Sequence, residues 1–234
     1  MKSASSNSEQ KRAAGARAAY FVKDGMRIGI GTGSTVAFFI EELGSRIREG
    51  LKVAGVPTSS QSRLLCFSCG IPILDASMVN HLDLAVDGAD EIDGGLNAIK
   101  GGGAAHTVEK IIASMADEFI LIADESKLVD KLCGHFPLPV EVIPAGCAFV
   151  MNQIRLLGGE PSVRMAVKKD GPVISENGNY IIDIAFNSPP ADLSLLNRQL
   201  IGIPGLVETG LFLGLAQRAL IAGAQGVREI KRRA

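Results

Sequence analysis

The chain has no apolar run approaching the roughly 18–20 residues that a membrane-spanning helix needs. It also lacks an excess of charge. Lys and Arg number 24 against 25 Asp and Glu, a formal net charge of −1. No global positive field recruits nucleic acid or an anionic membrane, so an anion would have to be bound at a local site. Residues 1–10 are polar, are expected to be frayed, and lack the apolar segment of a secretory signal. Cysteine is sparse, with four residues. Without a signal these read as reduced thiols in a cytosol, which places the protein in the cytoplasm. Cys66-Phe-Ser-Cys69 is a lone C-x-x-C, and Cys133 and Cys147 stand 14 apart rather than forming a second such pair. A structural zinc site needs that second pair, so ordinary buried or half-buried thiols are expected instead. There is no internal repeat, and nothing of low complexity beyond the N-terminus.

The 234 residues are 47% hydrophobic and 21% charged, an ordinary globular balance, long enough for one large domain or two smaller ones. Residues 9–22 predict a helix, 26–31 a buried strand, 36–48 a helix, 51–56 a strand, 62–69 a helix and 82–86 a strand. A helix over 104–116 and a strand over 119–123 follow. This alternation predicts an α/β fold: a Rossmann-like, doubly wound, mostly parallel sheet with functional loops at the strand C-termini. The pattern changes at Phe136-Pro-Leu-Pro-Val-Glu-Val-Ile-Pro144, where prolines bracket a short strand. A helix near 147–157, a strand at 163–167, an Asn-Gly hairpin around 176–179, a helix near 192–200 and a strand at 207–213 complete the order β-α-β-β-α-β. That order predicts a ferredoxin-like α+β unit. Residues 214–234 are too short to fold alone and are expected to pack back on the first part. The expected domains are therefore 1–132 plus 214–234, and a smaller lid or interface domain over 133–213.

Three segments carry chemistry. Gly29-Ile-Gly31-Thr32-Gly33-Ser34-Thr35 lies between a strand and a helix, where glycines admit close approach and unpaired helical N–H groups suit phosphate. A dinucleotide fingerprint does not fit, because the spacing is G-x-G-x-G and the second strand runs into Pro-Thr-Ser-Ser with no acidic residue for a ribose diol. A tight turn with no ligand is the plain alternative. Next, Asp87-Gly88-Ala89-Asp90-Glu91-Ile92-Asp93 packs four carboxylates into seven residues at a strand end. Asp87 and Asp90 there suit gripping sugar hydroxyls or moving protons between oxygens; an acidic surface loop is the alternative. The block is not a D-x-D-x-D-G calcium loop, and of the histidines that follow it His106 is the nearby one. Finally, Lys100-Gly101-Gly102-Gly103 opens a helix, an arrangement that makes an anion-binding nest. Glu109 on that helix is a candidate general base for a proton α to a carbonyl. Lys127 follows the fourth strand and Lys11 lies on the first helix; each alone reads as an ordinary surface lysine.

In order, G-T-G-S-T, D-G-A-D-E-I-D, K-G-G-G-A-A-x-T-x-E-K, I-A-D-x-S-K, F-P-L-P-V-E-V-I-P and E-N-G-N-Y-I-I-D resemble ribose-5-phosphate isomerase of the A type. The resemblance runs from about residue 9 to 230. It implies an aldose–ketose isomerase interconverting D-ribose 5-phosphate and D-ribulose 5-phosphate in the non-oxidative pentose phosphate pathway, with no cofactor, no metal, and a homodimer or homotetramer. By this resemblance Glu109 is the proton acceptor. Thr32, Gly33, Ser34, Thr35, Asp87, Gly88, Ala89, Asp90, Lys100, Gly101, Gly102, Gly103 and Lys127 match its substrate-binding segments, and Lys11 sits where its first helix often has a lysine. Many relatives have glycine where Ala104 stands, an aliphatic residue at His106 and arginine at Val108. The first two differences are expected to alter only packing. The rival functions are a sugar-phosphate-binding domain of a transcriptional regulator and a deaminase or coenzyme A transferase-like enzyme. The regulator needs a DNA-binding module, for which the roughly 25 residues before the first strand are too few. The transferase forms a covalent glutamyl intermediate that hydroxylamine traps.

Overall fold

The computed structural model describes residues 4–232. The chain forms two compact units: Met1–Ala89 with Val108–Leu128 and Gly214–Ala234, and Asp90–Thr107 with Val129–Leu213.

The first unit is built on a six-stranded sheet. Its strands are β1 (Arg27–Ile30), β2 (Ala54–Pro57), β3 (Leu82–Asp87), β6 (Ala116–Asp124), β12 (Arg218–Gly223) and β13 (Gly226–Lys231), and the second unit supplies β4, β5 and β7–β11. The order across the sheet is β2-β1-β3-β6-β12-β13, parallel except for β13. The expected doubly wound sheet is thus present, and β12 and β13 return to it as a hairpin. The helices are α1 (Ala4–Ala19), α2 (Ser34–Arg48), α3 (Ser60–Ser68) and α4 (His106–Met115), the chain passing between units within α4.

Helix α1 begins earlier than the expected frayed end allows, because elongation from its Ala-rich stretch costs little once a helix is nucleated. It stops at Ala19, where the chain tightens into i→i+3 hydrogen bonds and Arg46 Nη1 donates to the carbonyls of Ala19 and Val22. Helix α2 buries Val36, Phe39, Ile40 and Leu43, the i, i+3, i+4, i+7 stripe of a core-facing helix. These pack on Ile28, Ile30, Val86, Ile120 and Ile122 of the sheet. Helix α4 approaches the sheet so closely that a Cβ on Gly29 would lie 2.3 Å from Ile112 Cγ2.

The second unit holds a four-stranded antiparallel sheet of β7 (Leu138–Val142), β8 (Glu160–Val163), β9 (Tyr180–Ala185) and β10 (Leu206–Thr209), in the order β10-β7-β9-β8. With α5 (Cys147–Leu156) and α6 (Leu193–Ile201) it follows the expected β-α-β-β-α-β order. Its core joins Val140, Val142, Ile182 and Ile184 to Val150, Ile154 and Leu200.

Two features depart from expectation. The strand expected over 207–213 breaks at Gly210, whose N–H donates to Pro139 O at 2.7 Å and whose carbonyl accepts from Lys100 N–H at 2.9 Å. Beyond the break, β11 (Leu211–Phe212) leaves β10 and pairs with β5 (Ala98–Ile99), which pairs with β4 (Glu91–Ile92). This small sheet groups residues 90–107 with the second unit rather than with the first, as the sequence division had them. Glu91 secures the arrangement. Its buried carboxylate accepts the backbone N–H groups of Cys133, His135 and Phe136 at 2.7–2.8 Å.

Candidate active site

In the first unit, β1 is flanked by β2 on one side and β3 on the other, so the chain reverses its order across the sheet between β1 and β3. In open parallel sheets that switch point, at the strand C-termini, is where ligands bind. The Gly31–Thr35 loop follows β1 and Asp87 ends β3, with Ile30 beside Val86 in register. Asp87 is 3% exposed, and its Oδ1 accepts the N–H of Thr32 at 3.1 Å and of Gly88 at 2.7 Å. A Cβ on Gly31 would lie 2.0 Å from Asp87 Cγ and Oδ1, so the glycine is required by the carboxylate packed against it.

The loop after β1 enters α2 through Gly33, at φ +111° and with no side-chain cap. Ser34 is exposed and Thr35 half-buried. Thr32 Oγ1 donates to Ser59 Oγ at 2.7 Å and lies 2.9 Å from Thr58 Oγ1, and Gly33 N–H donates to Gln61 Oε1 at 3.3 Å. The Pro-Thr-Ser-Ser stretch after β2, which the sequence offered only as an argument against a dinucleotide, therefore braces the loop. Glu109, 5% exposed, lies in the first turn of α4. It stands one turn before Ile112 on the same helical face, toward the C-terminal edge of the strands. Lys127, half-buried, closes a 3₁₀ turn (Glu125–Lys127) at the end of β6, where Asp124 accepts from Ser126. Lys11 is half-buried on α1.

In the second unit, Lys100 is 3% exposed and its Nζ lies 5.4 Å from the ring centroid of Phe212. The glycines after it form a tight loop. Gly101 adopts φ +115°, where a Cβ would meet His106 Nδ1 at 2.8 Å. Ala104 adopts φ +60°. Alanine carries strain in that left-handed region, so its presence affects the backbone, not packing alone as expected. Gly102 N–H donates to Asp90 Oδ2 at 2.8 Å, and Asp90 N–H donates to Ile99 O at 2.8 Å. His106 is fully buried, its Nε2 3.3 Å from Glu208 O.

Two further groups support this loop, and neither was legible beforehand. Arg164, just after β8, donates through Nη1 to the carbonyls of Gly101 and Gly102, and through Nε and Nη2 to Asp183. Buried Glu141 accepts from Thr107 at the start of α4 and from Ser175, Asn177 and Asn179. Burial alone raises its pKa, but the hydrogen bonds from Thr107, Asn179, Ser175 and Asn177 prevail and hold it below its ordinary 4.5. The FPLPVEVIP segment and the Asn-Gly hairpin were legible as turn and strand signals. Only their meeting in space shows a shared carboxylate.

Among the described residues one group of three donors has ligand atoms all within 4.8 Å: His81, Asp83 and Asp117. It lies at the opposite end of β3 from Asp87. His81 Nε2 lies 2.8 Å from Asp117 Oδ1, while Arg27 places a guanidinium nitrogen 3.3 Å from His81 Nδ1 and donates its backbone N–H to Asp83.

Comparison with known proteins bears on the fold and the family. The family model of ribose 5-phosphate isomerase A (phosphoriboisomerase A) matches residues 54–226. A ribose-5-phosphate isomerase A of Methanothermobacter thermautotrophicus is 50% identical over 226 residues, covering 94% of this chain and 97% of the relative. The solved ribose 5-phosphate isomerase A of Methanocaldococcus jannaschii superposes with a TM-score of 0.92 at 44% identity, over 96% of this chain and 99% of that one. A D-ribose-5-phosphate isomerase solved in complex with phospho-erythronic acid gives 0.93 at 44% identity, over 96% and 98%. With its fold and nearly its whole length shared with these proteins, the chain belongs to the ribose 5-phosphate isomerase A family.

Proposed function

We propose that the chain is an aldose–ketose isomerase that interconverts D-ribose 5-phosphate and D-ribulose 5-phosphate, with Glu109 as the proton-transferring base. The observation that carries the reading is the burial of Asp87 and Glu109 at the C-terminal edge of one parallel sheet, 3% and 5% exposed. Burying carboxylates is costly for folding, and such groups collect where chemistry needs them.

The substrate enters mainly as a furanose. Asp87, oriented by the Thr32 and Gly88 N–H groups, assists ring opening by moving the ring and anomeric protons, with Asp90 the second candidate. Glu109 then takes the proton from C2. The C–H electrons form the C1–C2 double bond, and the C1 carbonyl becomes an enediolate oxyanion. Transfer of the O2 proton to O1 and return of the carried proton to C1 give the ketose. One carboxylate serves both carbons because they are adjacent. Lys100 stabilises the oxyanion with a charge already in place in a water-poor setting, commonly the largest catalytic contribution. The phosphate anchors the remote end at the Thr32–Thr35 loop and the lysines Lys127 and Lys11, and its binding energy positions the reacting carbons. This chemistry calls for no cofactor and no metal.

No helix among the described residues is long and apolar enough to cross a membrane. We place the enzyme in the cytoplasm as a homo-oligomer. Half-exposed Phe149 and exposed Leu156 on α5 support the second point, and light scattering tests it.

The deciding experiment is turnover of ribose 5-phosphate by metal-stripped wild type in EDTA, beside Glu109→Gln. Wild type is expected to form ribulose 5-phosphate. Glu109→Gln is expected to bind substrate normally and to turn over at less than about 10% of the wild-type rate. Higher turnover removes Glu109 as the base, and an inactive, folded wild type removes the isomerase reading.

A further inference from the structure

We infer that Arg164 is a positioning residue for the isomerisation, acting through the Lys100–Gly103 loop; this rests on that loop's proposed role beside the enediolate. Every contact involved lies within the second unit. Arg164 Nε donates to Asp183 Oδ2 at 2.8 Å and Nη2 donates to Asp183 Oδ1. Nη1 donates to Gly101 O at 2.7 Å and to Gly102 O at 3.1 Å. The Arg164 backbone is itself fixed, its N–H donating to Ile181 O at 2.9 Å and its carbonyl accepting from Val173 N–H at 2.8 Å. The two charged side chains are 16% and 19% exposed, so little water competes for them.

Peptide planarity turns this clamp into a constraint on the loop's N–H groups. The Gly101 carbonyl and the Gly102 N–H share one trans plane and point opposite ways. Holding that carbonyl on the guanidinium aims Gly102 N–H away from Arg164, where it meets Asp90 Oδ2 at 2.8 Å. Holding the Gly102 carbonyl aims the Gly103 N–H away from Arg164 in the same manner. Three successive glycines have more backbone freedom than any other tripeptide, and Gly101 at φ +115° is not in a conformation the chain favours by itself. The loop's shape is therefore imposed from outside. The guanidinium also polarises the peptides it touches, which strengthens their N–H groups as donors. Donors aimed before substrate arrives are what stabilises a developing oxyanion. The planar fork can hold a carboxylate with two nitrogens and the carbonyls with a third, which the point charge of lysine cannot do.

The test combines kinetics of wild type, Arg164→Met, Arg164→Lys and Asp183→Asn with amide hydrogen exchange at Gly102 on the same proteins. Arg164→Met is expected to lower kcat by about 30–100-fold while KM stays within about threefold, since misplacing a catalytic group by about 1 Å costs on the order of a hundredfold. Arg164→Lys is expected to recover part of that loss, Asp183→Asn to fall between, and Gly102 exchange in Arg164→Met to quicken by about tenfold or more. A folded Arg164→Met with kcat within about twofold of wild type, or with unchanged Gly102 exchange, overturns the assignment. If Arg164→Met does not fold, wild-type kcat and exchange in both other variants overturn it equally. A wild type that fails to turn over ribose 5-phosphate refutes the isomerase reading instead, a different result from an active wild type matched by its variants.

Discussion

Gly31→Ala is the most informative single perturbation, because it touches no reacting atom and yet strikes the group proposed to open the sugar ring. The added methyl would lie 2.0 Å from Asp87 Cγ and Oδ1 and 2.6 Å from its Cβ. Ordinary carbon contacts begin near 3.5 Å, so the Asp87 carboxyl must retreat by roughly 1–1.5 Å. That retreat breaks the hydrogen bonds from Thr32 N–H and Gly88 N–H to Oδ1. Hydrogen bonds to a charged group contribute roughly 1.5–3 kcal/mol each, and partial relaxation leaves an expected stability loss of about 2–4 kcal/mol. A displacement of this size predicts a fall in kcat/KM of about a hundredfold. Denaturant melts and steady-state isomerase assays measure the two effects. A double-mutant cycle with Asp87→Gly, read by stability alone, isolates the contact: with the side chain gone, Gly31→Ala is expected to cost at least about 1–2 kcal/mol less. Gly31→Ala retaining more than about a third of wild-type activity, or costing the same stability in both backgrounds, refutes the reasoning.

Three further outcomes are expected. Ala104→Gly relieves a left-handed backbone worth roughly 1–2 kcal/mol but gives back about 0.4–1 kcal/mol of unfolded-chain entropy, so the melting temperature should rise by about 1–3 °C; a fall contradicts the strain. Glu141→Gln leaves a buried set of hydroxyl and amide donors mismatched and should cost about 2–4 kcal/mol at neutral pH. Because the folded pKa of Glu141 is depressed, its contribution is complete above the unfolded value near 4.5 and is lost as pH falls through the folded one. The gap between wild type and Glu141→Gln is thus constant above about pH 5 and narrows below about pH 4; a gap independent of pH would contradict this. Burial pushes the Cys66 thiol up to about 12, helped by neighbouring Cys69, and burial with the Glu91 carboxylate does the same for Cys133. A thiol reagent at pH 8 should therefore label Cys69 and Cys147 quickly and the other two only on unfolding; four equal rates would refute the assignment.

What the sequence determined by itself was whatever short stretches encode. Strand, glycine turn and helix follow one another within ten or so residues, so the Gly31–Thr35 loop and Asp87 were legible at strand C-termini, and period and turn chemistry marked the β-α-β-β-α-β order. Motif order was sufficient to name the family. Contacts between distant segments were not legible. Gly31 read as room for a ligand and proves to be room for Asp87. Glu91, one of four clustered carboxylates, holds the N–H groups of residues 133–136. The strand at 207–213 breaks at Gly210 because Lys100 takes its carbonyl. Arg164 meets the glycine loop from 63 residues beyond Gly101. Local preference carries information over a turn or two of chain. Which buried carbonyl meets which guanidinium depends on surfaces that come together only when the whole chain has folded.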